Sequence, residues 1–224
     1  MRVRLPSVER RFLIIELSSI KEIGISRPLA ASDLALIESG VRNCLRLNAL
    51  IGSYLDAARL EEGALPLHAS PVDLEPLIRN VIDELAPAAR ERGQEPTLTV
   101  HGTLIAHADP ELLRRVLVNI LSNATKFTPQ GGRIDVTTSS LERDVLIQIS
   151  DNGPGIPAQD LPRIFDRFYQ GVSPGRRSGL GLGLTFCRAA TRAMGGEVTA
   201  ESEEGKGSVF TLRLPQPILA GTTI

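Results

Sequence analysis

The stretch from Asp109 to Pro129 constrains this chain more than any other. Asp109-Pro110-Glu111 is a helix start: a capping acid, then a proline where a backbone N–H would go unused, then a second acid in the first turn. Leu112, Leu113, Val116, Leu117, Ile120 and Leu121 recur at helical spacing and predict an apolar face turned toward a sheet. Asn119, Asn123 and Lys126 share the opposite face. Two carboxamides above a lysine suit a solvated surface, and by itself the stretch leaves that reading open. The remainder of the chain decides for a polar wall.

Three further pieces follow in order. Asp151-Asn152-Gly153-Pro154-Gly155-Ile156 ends a predicted strand, Phe165-Asp166-Arg167-Phe168-Tyr169 comes next, and Gly179-Leu180-Gly181-Leu182-Gly183-Leu184 opens a helix. Each glycine box alone is a weak signal, because turn glycines usually serve only the backbone. In this order, with the asparagine helix before them, they resemble the ATP-binding domain of sensor histidine kinases. That domain lies within the larger group containing gyrase, Hsp90 and MutL. The resemblance covers roughly residues 70–215.

The resemblance implies ATP and Mg2+ as ligands. Asn123 would hold Mg2+ through its amide oxygen, and Asp151 would accept from the adenine amino group. On chemistry alone, Lys126 supplies a point charge for phosphates. Gly179, Gly181 and Gly183 leave amides bare at a helix start, which suits an anion. Phe127 can pack on a purine, and Gly153 and Gly155 let a base approach the backbone. Residues 157–178, with Pro157, Pro162, Pro174 and Gly175, form a long irregular stretch of the kind that makes a lid. Arg163, Arg167, Arg176 and Arg177 make it basic; of these only Arg167, with its neighbour Phe168, is carried as a site candidate. Arg177 stands where the family often has another glycine.

Asn119 separates relatives. The gyrase and Hsp90 branch has a glutamate at this place, a base that activates water. A carboxamide cannot accept a proton near neutral pH, so slow hydrolysis is expected. No Walker A sequence occurs, and Gly179 to Gly183 lacks dinucleotide-site spacing.

Upstream, residues 3–22 read as one helix and Ser32-Asp33 caps a second running to about Glu62, where Gly63 stops it. The second carries a heptad stripe of Leu34, Ile37, Val41, Cys44, Asn48, Ile51, Leu55 and Ala58. Two helices cannot bury such stripes, so a homodimeric four-helix bundle through residues 3–62 is expected. With Asp56-Ala57-Ala58-Arg59-Leu60-Glu61-Glu62-Gly63, the hairpin resembles the dimerisation and phosphoacceptor domain of histidine kinases. It departs from that family in having no histidine before His68. Counted back from Arg59, the family spacing puts the acceptor position at Met1, with Arg4 and Pro6 matching the motif and Arg2 in place of its acid. A rival alignment on Arg27-Pro28-Leu29 puts it at Ile23. The chain thus begins where the acceptor is expected, and the acceptor is expected on a partner or on a segment upstream.

The remaining elements read as a short strand at Leu67–Ala69, a helix from Asp73 to Arg92 and strands at Thr97–His101 and Thr103–His107. An alternating pair follows at Arg133–Ser140 and Val145–Asp151, then a helix from Gly181 to Met194 and a hairpin of Val198–Glu201 with Ser208–Leu214. The expected class is α+β. A helical hairpin at 1–63, a linker at 64–72, an α/β sandwich ATP-binding domain at 73–217 and a tail at 218–224 make up the chain.

At 224 residues and a formal charge of −1, nothing points to nucleic acid or an anionic membrane. No apolar run approaches the ~18–20 residues of a membrane span, and no signal peptide is visible, so the cytoplasm is the default compartment. Cys44 and Cys187 read as core residues, and the three histidines show no metal spacing. The function implied is phosphoryl transfer from Mg-ATP to a histidine, with relay to a response-regulator receiver domain. Alternatives are a non-catalytic nucleotide-binding dimeric scaffold that docks a regulator, and a serine kinase or ATPase of the same superfamily.

Overall fold

The computed structural model describes residues 31–102, 104–171 and 181–217. The helix expected at 3–22, both candidate acceptor positions, Gly179, Arg176, Arg177 and the 218–224 tail lie outside the described residues. The chain divides into two compact units, Met1–Leu47 and Asn48–Ile224.

Helix α1 spans Ala31–Glu61. The turn after it holds Gly63, whose φ of +66° lets the Ala64 amide reach back to Arg59 O at 2.8 Å. Of the heptad stripe, Ile51 and Leu55 stand exposed, whereas Ala57 and Leu60 are buried in the core of the second unit. That unit therefore begins inside the helix, upstream of the boundary expected at residue 63. The helix carries a second apolar face, with Ala57 and Leu60, beside its heptad stripe.

Strand β1 (Ser70–Asp73) pairs antiparallel with β3 (Ile105–Ala108). The strand expected at Leu67–Ala69 thus lies a few residues further on. Pro71, which cannot donate to a ladder, hides it from a propensity reading but is tolerated in so short a pair. Helix α2 (Leu74–Glu91) is capped by Asp73, which accepts from Glu75 N at 3.2 Å. Strand β2 (Thr97–Val100) is followed, after β3, by helix α3 (Pro110–Phe127). Asp109 caps α3 by accepting from Glu111 N and Leu112 N, both at 3.1 Å.

Strands β4 (Ile134–Leu141) and β5 (Asp144–Asp151) form a hairpin; helix α4 (Gly183–Ala193) and strands β6 (Glu197–Glu203) and β7 (Gly207–Pro215) complete the unit. The sheet order is β2-β4-β5-β7-β6, with β2 parallel to β4 and every other pair antiparallel. Ile134 and Val136 on β4, Val145, Ile147 and Ile149 on β5, and Phe210, Leu212 and Leu214 on β7 point inward by alternation. They meet Leu113, Val116, Leu117 and Ile120 of α3 and Phe186 and Ala190 of α4, all fully buried. Burying each such side chain contributes about 1.5–3 kcal/mol. This two-layer α/β sandwich holds α3 with its polar face away from the sheet and beside the start of α4.

Candidate functional site

A cavity of about 320 Å3 opens where the C-terminal half of α3, the end of β5 and the start of α4 converge. That volume lies at the lower end of small-molecule sites. Asn119, Asn123, Lys126 and Phe127 line it from α3, Asp151 and Gly155 from the end of β5 and its turn, and Gly181 and Gly183 from the start of α4. Ile156, Ile164, Leu182, Leu184 and Phe210 supply an apolar lining. The residues placed on the outer face of α3 by periodicity therefore border a pocket rather than bulk solvent. Phe127, 36% exposed, sits at its edge with the Lys126 ammonium 4.5 Å from its ring centre.

Asp151 stands where β5 breaks into a turn. Its Oδ1 accepts the Gly153 N–H at 2.8 Å. Burial pushes its carboxyl above the usual carboxylate range, while the amides of Gly153 and Ser208 pull it down. Helix α4 begins without a side-chain cap. Among the described residues no side chain caps its first N–H groups, and Leu182, Gly183 and Leu184 bring the positive end of its dipole to the cavity.

The glycines are also packed closely by the chain itself. A Cβ on Gly155 would collide with the Glu203 carbonyl, and one on Gly153 would stand 2.6 Å from Asp151 Oδ1. At both positions the chain packs too closely on itself to admit a Cβ. Gly181 has a φ of +68°, and a Cβ there would collide with the Tyr169 carbonyl. A Cβ on Gly183 would meet Asn119 Oδ1.

Arg167 and Phe168 do not line the cavity. Arg167 pairs with Glu61 and lies over the Tyr54 ring, 5.6 Å from its centre. Phe168 is 60% exposed and its ring sits 5.8 Å from that of Tyr54. Its φ of +61°, strained for an aromatic residue, accompanies an N–H bond to Gly181 O at 3.1 Å. Both candidates thus face the end of α1. Arg115 does the same, binding Asp56 at 2.8 Å with its guanidinium 4.2 Å from the centre of the Phe186 ring.

Several contributors carried no sequence signal. Buried Asp160 accepts the Tyr169 hydroxyl at 2.7 Å and both border the cavity; that bond pushes the Tyr169 phenol up. Gln94, fully buried, donates through Nε2 to Thr128 O and Pro129 O at 2.9 and 3.0 Å. Arg92 Nη2 donates to Lys126 O at 3.1 Å and Thr128 O at 3.2 Å. Together they fix the last turn of α3, and with it Lys126 and Phe127. Ser208, at the register position opposite Asp151, completes the wall.

The site fits a nucleotide with a divalent cation. Among the described residues no group of three His, Cys, Asp or Glu could hold a metal ion. Mg2+ commonly takes few protein ligands and the rest from phosphates and water, and Asn123 offers one oxygen for such an arrangement.

Residues 108–218 match the model of the histidine kinase-, DNA gyrase B- and HSP90-like ATPase family. The chain is 35% identical over 196 residues to the signal transduction histidine-protein kinase AfsQ2 of Streptomyces coelicolor, a match covering 87% of this chain and 35% of the relative. It is 37% identical over 170 residues to the adaptive-response sensory kinase SasA of Synechococcus elongatus, covering 74% of this chain and 43% of that one. Less than half the length of either relative is therefore represented. Among solved structures, full-length ShkA in complex with AMPPNP is similar at a TM-score of 0.73 and 33% identity, covering 84% of this chain and 40% of that one.

Proposed function

The chain belongs to the histidine kinase-, DNA gyrase B- and HSP90-like ATPase family and carries the catalytic core of a sensor histidine kinase, and from that premise we propose that it binds Mg-ATP and transfers the γ-phosphoryl group to a histidine on a partner. One observation carries the reading. Asn119, Asn123 and Lys126 from a single helix face, and Asp151 from a strand end, line one cavity beside an uncapped helix start.

In this reading Asp151 accepts from the base and Phe127 packs on it. Lys126 and the α4 amides take the phosphates, and Asn123 holds Mg2+. The metal, when bound, neutralises phosphate charge. Asn119 stands close to Gly183 on the phosphate side. As a carboxamide it cannot deprotonate water, so ATP survives in the site for transfer. Relay to a response-regulator receiver domain completes this reading; the relatives are a signal transduction kinase and a sensory kinase.

Titration of the chain with Mg-ATP should show affinity in the micromolar to millimolar range, roughly −8 to −4 kcal/mol, with ADP competing. Absence of heat together with absence of ADP competition would remove the reading. Asn123→Asp should keep metal binding and alter phosphate affinity, because a charged oxygen replaces a neutral one.

The exposed Ile51 and Leu55 support homodimerisation through α1. Leu55→Asp should yield a monomer by light scattering, since a carboxylate in the seam loses hydration without a partner. A second reading, a nucleotide-binding dimeric scaffold, is favoured by residues 3–62, which hold none of the chain's three histidines. Phosphorylation of an added histidine-bearing hairpin separates the two.

A further inference from the structure

Ser202 lies on β6, outside the cavity lining, and its hydroxyl is engaged three ways. Oγ accepts the Ile156 N–H at 2.7 Å, donates to the Gly207 carbonyl at 2.7 Å and stands 3.0 Å from Ser208 Oγ. A hydroxyl has one proton and two lone-pair positions. The Ile156 amide can only donate and the Gly207 carbonyl can only accept. The Ser202 proton therefore belongs to Gly207, and the bond between the serines must run from Ser208 to Ser202.

This fixes the polarity of a cavity residue. Ser208 is 7% exposed, lines the cavity and pairs with Asp151 across β5 and β7. With its proton directed at Ser202, its oxygen has only lone pairs left to offer the cavity. The ionised carboxylate opposite also only accepts. We propose that Ser202 is a positioning residue for base selection: it holds Ser208 as an acceptor and ties the Gly155–Ile156 wall to the β6–β7 hairpin, so that this end of the cavity takes a purine bearing an amino group and turns away one bearing a carbonyl there. The inference deepens the nucleotide-binding reading and rests on it.

The test titrates Mg-ATP and Mg-ITP, its 6-oxo counterpart, into the full chain and into Ser202→Ala and Ser202→Thr. Removing the hydroxyl frees the Ser208 proton to turn and donate to a carbonyl. Ser202→Ala should weaken ATP binding by about 3–10-fold and shrink the ATP-over-ITP preference at least about fivefold, in the range expected when a hydrogen-bonding site loses its fixed polarity. Ser202→Thr, which keeps the hydroxyl, should restore both. A preference in Ser202→Ala within about twofold of the unmodified chain would overturn the proposal, even with weaker ATP binding, since a purely structural role lowers both affinities together. Should Ser202→Ala fail to fold, Ser208→Ala decides: a narrowed preference supports the proposal and an unchanged one overturns it. An unmodified chain that binds neither nucleotide overturns the nucleotide-binding reading itself, a distinguishable failure.

Discussion

Gly183 and Asn119 meet where α3 and α4 converge: a Cβ on Gly183 would stand 3.2 Å from Asn119 Oδ1. That separation is tight for a Cβ contact, so the carboxamide must yield by a few tenths of an ångström. Gly183 opens α4 and its φ is not positive, so alanine is conformationally acceptable there. Gly183→Ala should therefore leave the melting temperature within a degree or two (on the order of 0.5 kcal/mol or less) while weakening Mg-ATP about 3–10-fold, roughly 1 kcal/mol. In an Asn119→Ala background the same change should cost less, because the group it displaces is gone. Additive losses in the double variant, measured by calorimetry, would show that the two positions act independently.

Asp151 has a pH signature. Burial raises its pKa in the folded chain, so the folded state keeps this proton to higher pH than the unfolded state does. Ionisation then opposes folding. The loss sets in as pH rises past the unfolded value of ~3.9 and is complete above the folded value. Asp151→Asn removes the titration, so its stability relative to the unmodified chain should rise through that window and level off above it, as read by urea unfolding at stepped pH. The variant should also lose nucleotide affinity at least about tenfold. With Oδ1 of the new side chain still accepting from Gly153, its other position becomes an NH2 donor where the carboxylate offered an acceptor.

The wall of the site was legible in the sequence because its signals are local. Asp109-Pro110 starts α3, apolar spacing sets the buried face, and Asn119, Asn123 and Lys126 follow on the other by geometry alone. The alternation of β4 and β5 places Asp151 at a strand end in the same way. Arg167 and Phe168 were not legible as neighbours of α1. Their placement depends on Glu61 and Tyr54, more than a hundred residues away in sequence, reaching them along the second face of the helix. Ser202, Gln94 and Arg92 were silent for a related reason. Each acts through hydrogen bonds to backbone or to one hydroxyl of a distant segment, and no residue pattern encodes such a partner. The glycines were found for an incomplete reason: tight turns were visible, whereas the Glu203 carbonyl beneath Gly155 is a tertiary fact.

The β4–β5 turn offers a stability test remote from the site. Leu141 pairs with Asp144, leaving Glu142 and Arg143 as a two-residue loop. Glu142 has a φ of +52° and Arg143 has no positive φ, the pattern of a turn that favours glycine at its first central position. Glu142→Gly should stabilise the chain by about 0.5–1 kcal/mol, the strain relieved exceeding the entropy that glycine adds to the unfolded state. Urea denaturation measures this. Nucleotide affinity should not change, because the Ile134–Asp151 pair lies at the opposite end of the hairpin. A lower midpoint would mean that the glutamate side chain contributes something its backbone strain conceals.

The chain has three histidines, and the acceptor nitrogen in phosphoryl transfer must come within about 3–3.5 Å of the reacting phosphorus, in line with the leaving oxygen. None of the three lines the cavity. The backbone of His68 is held at 3.0 Å by the same Asp109 carboxylate that caps α3. His101 follows β2 with its N–H directed at Thr138 O, and His107 lies within β3, paired with Pro71. To reach the phosphate side of its own cavity, each would have to break the ladder or cap that holds it. Incubation of the chain alone with γ-labelled ATP should therefore leave no acid-labile phosphate, and addition of a histidine-bearing partner hairpin should produce it on the partner. Label that appears on the chain alone and disappears with His68→Ala would place the acceptor in the segment leading into β1, and would require that segment to detach from Asp109 during turnover.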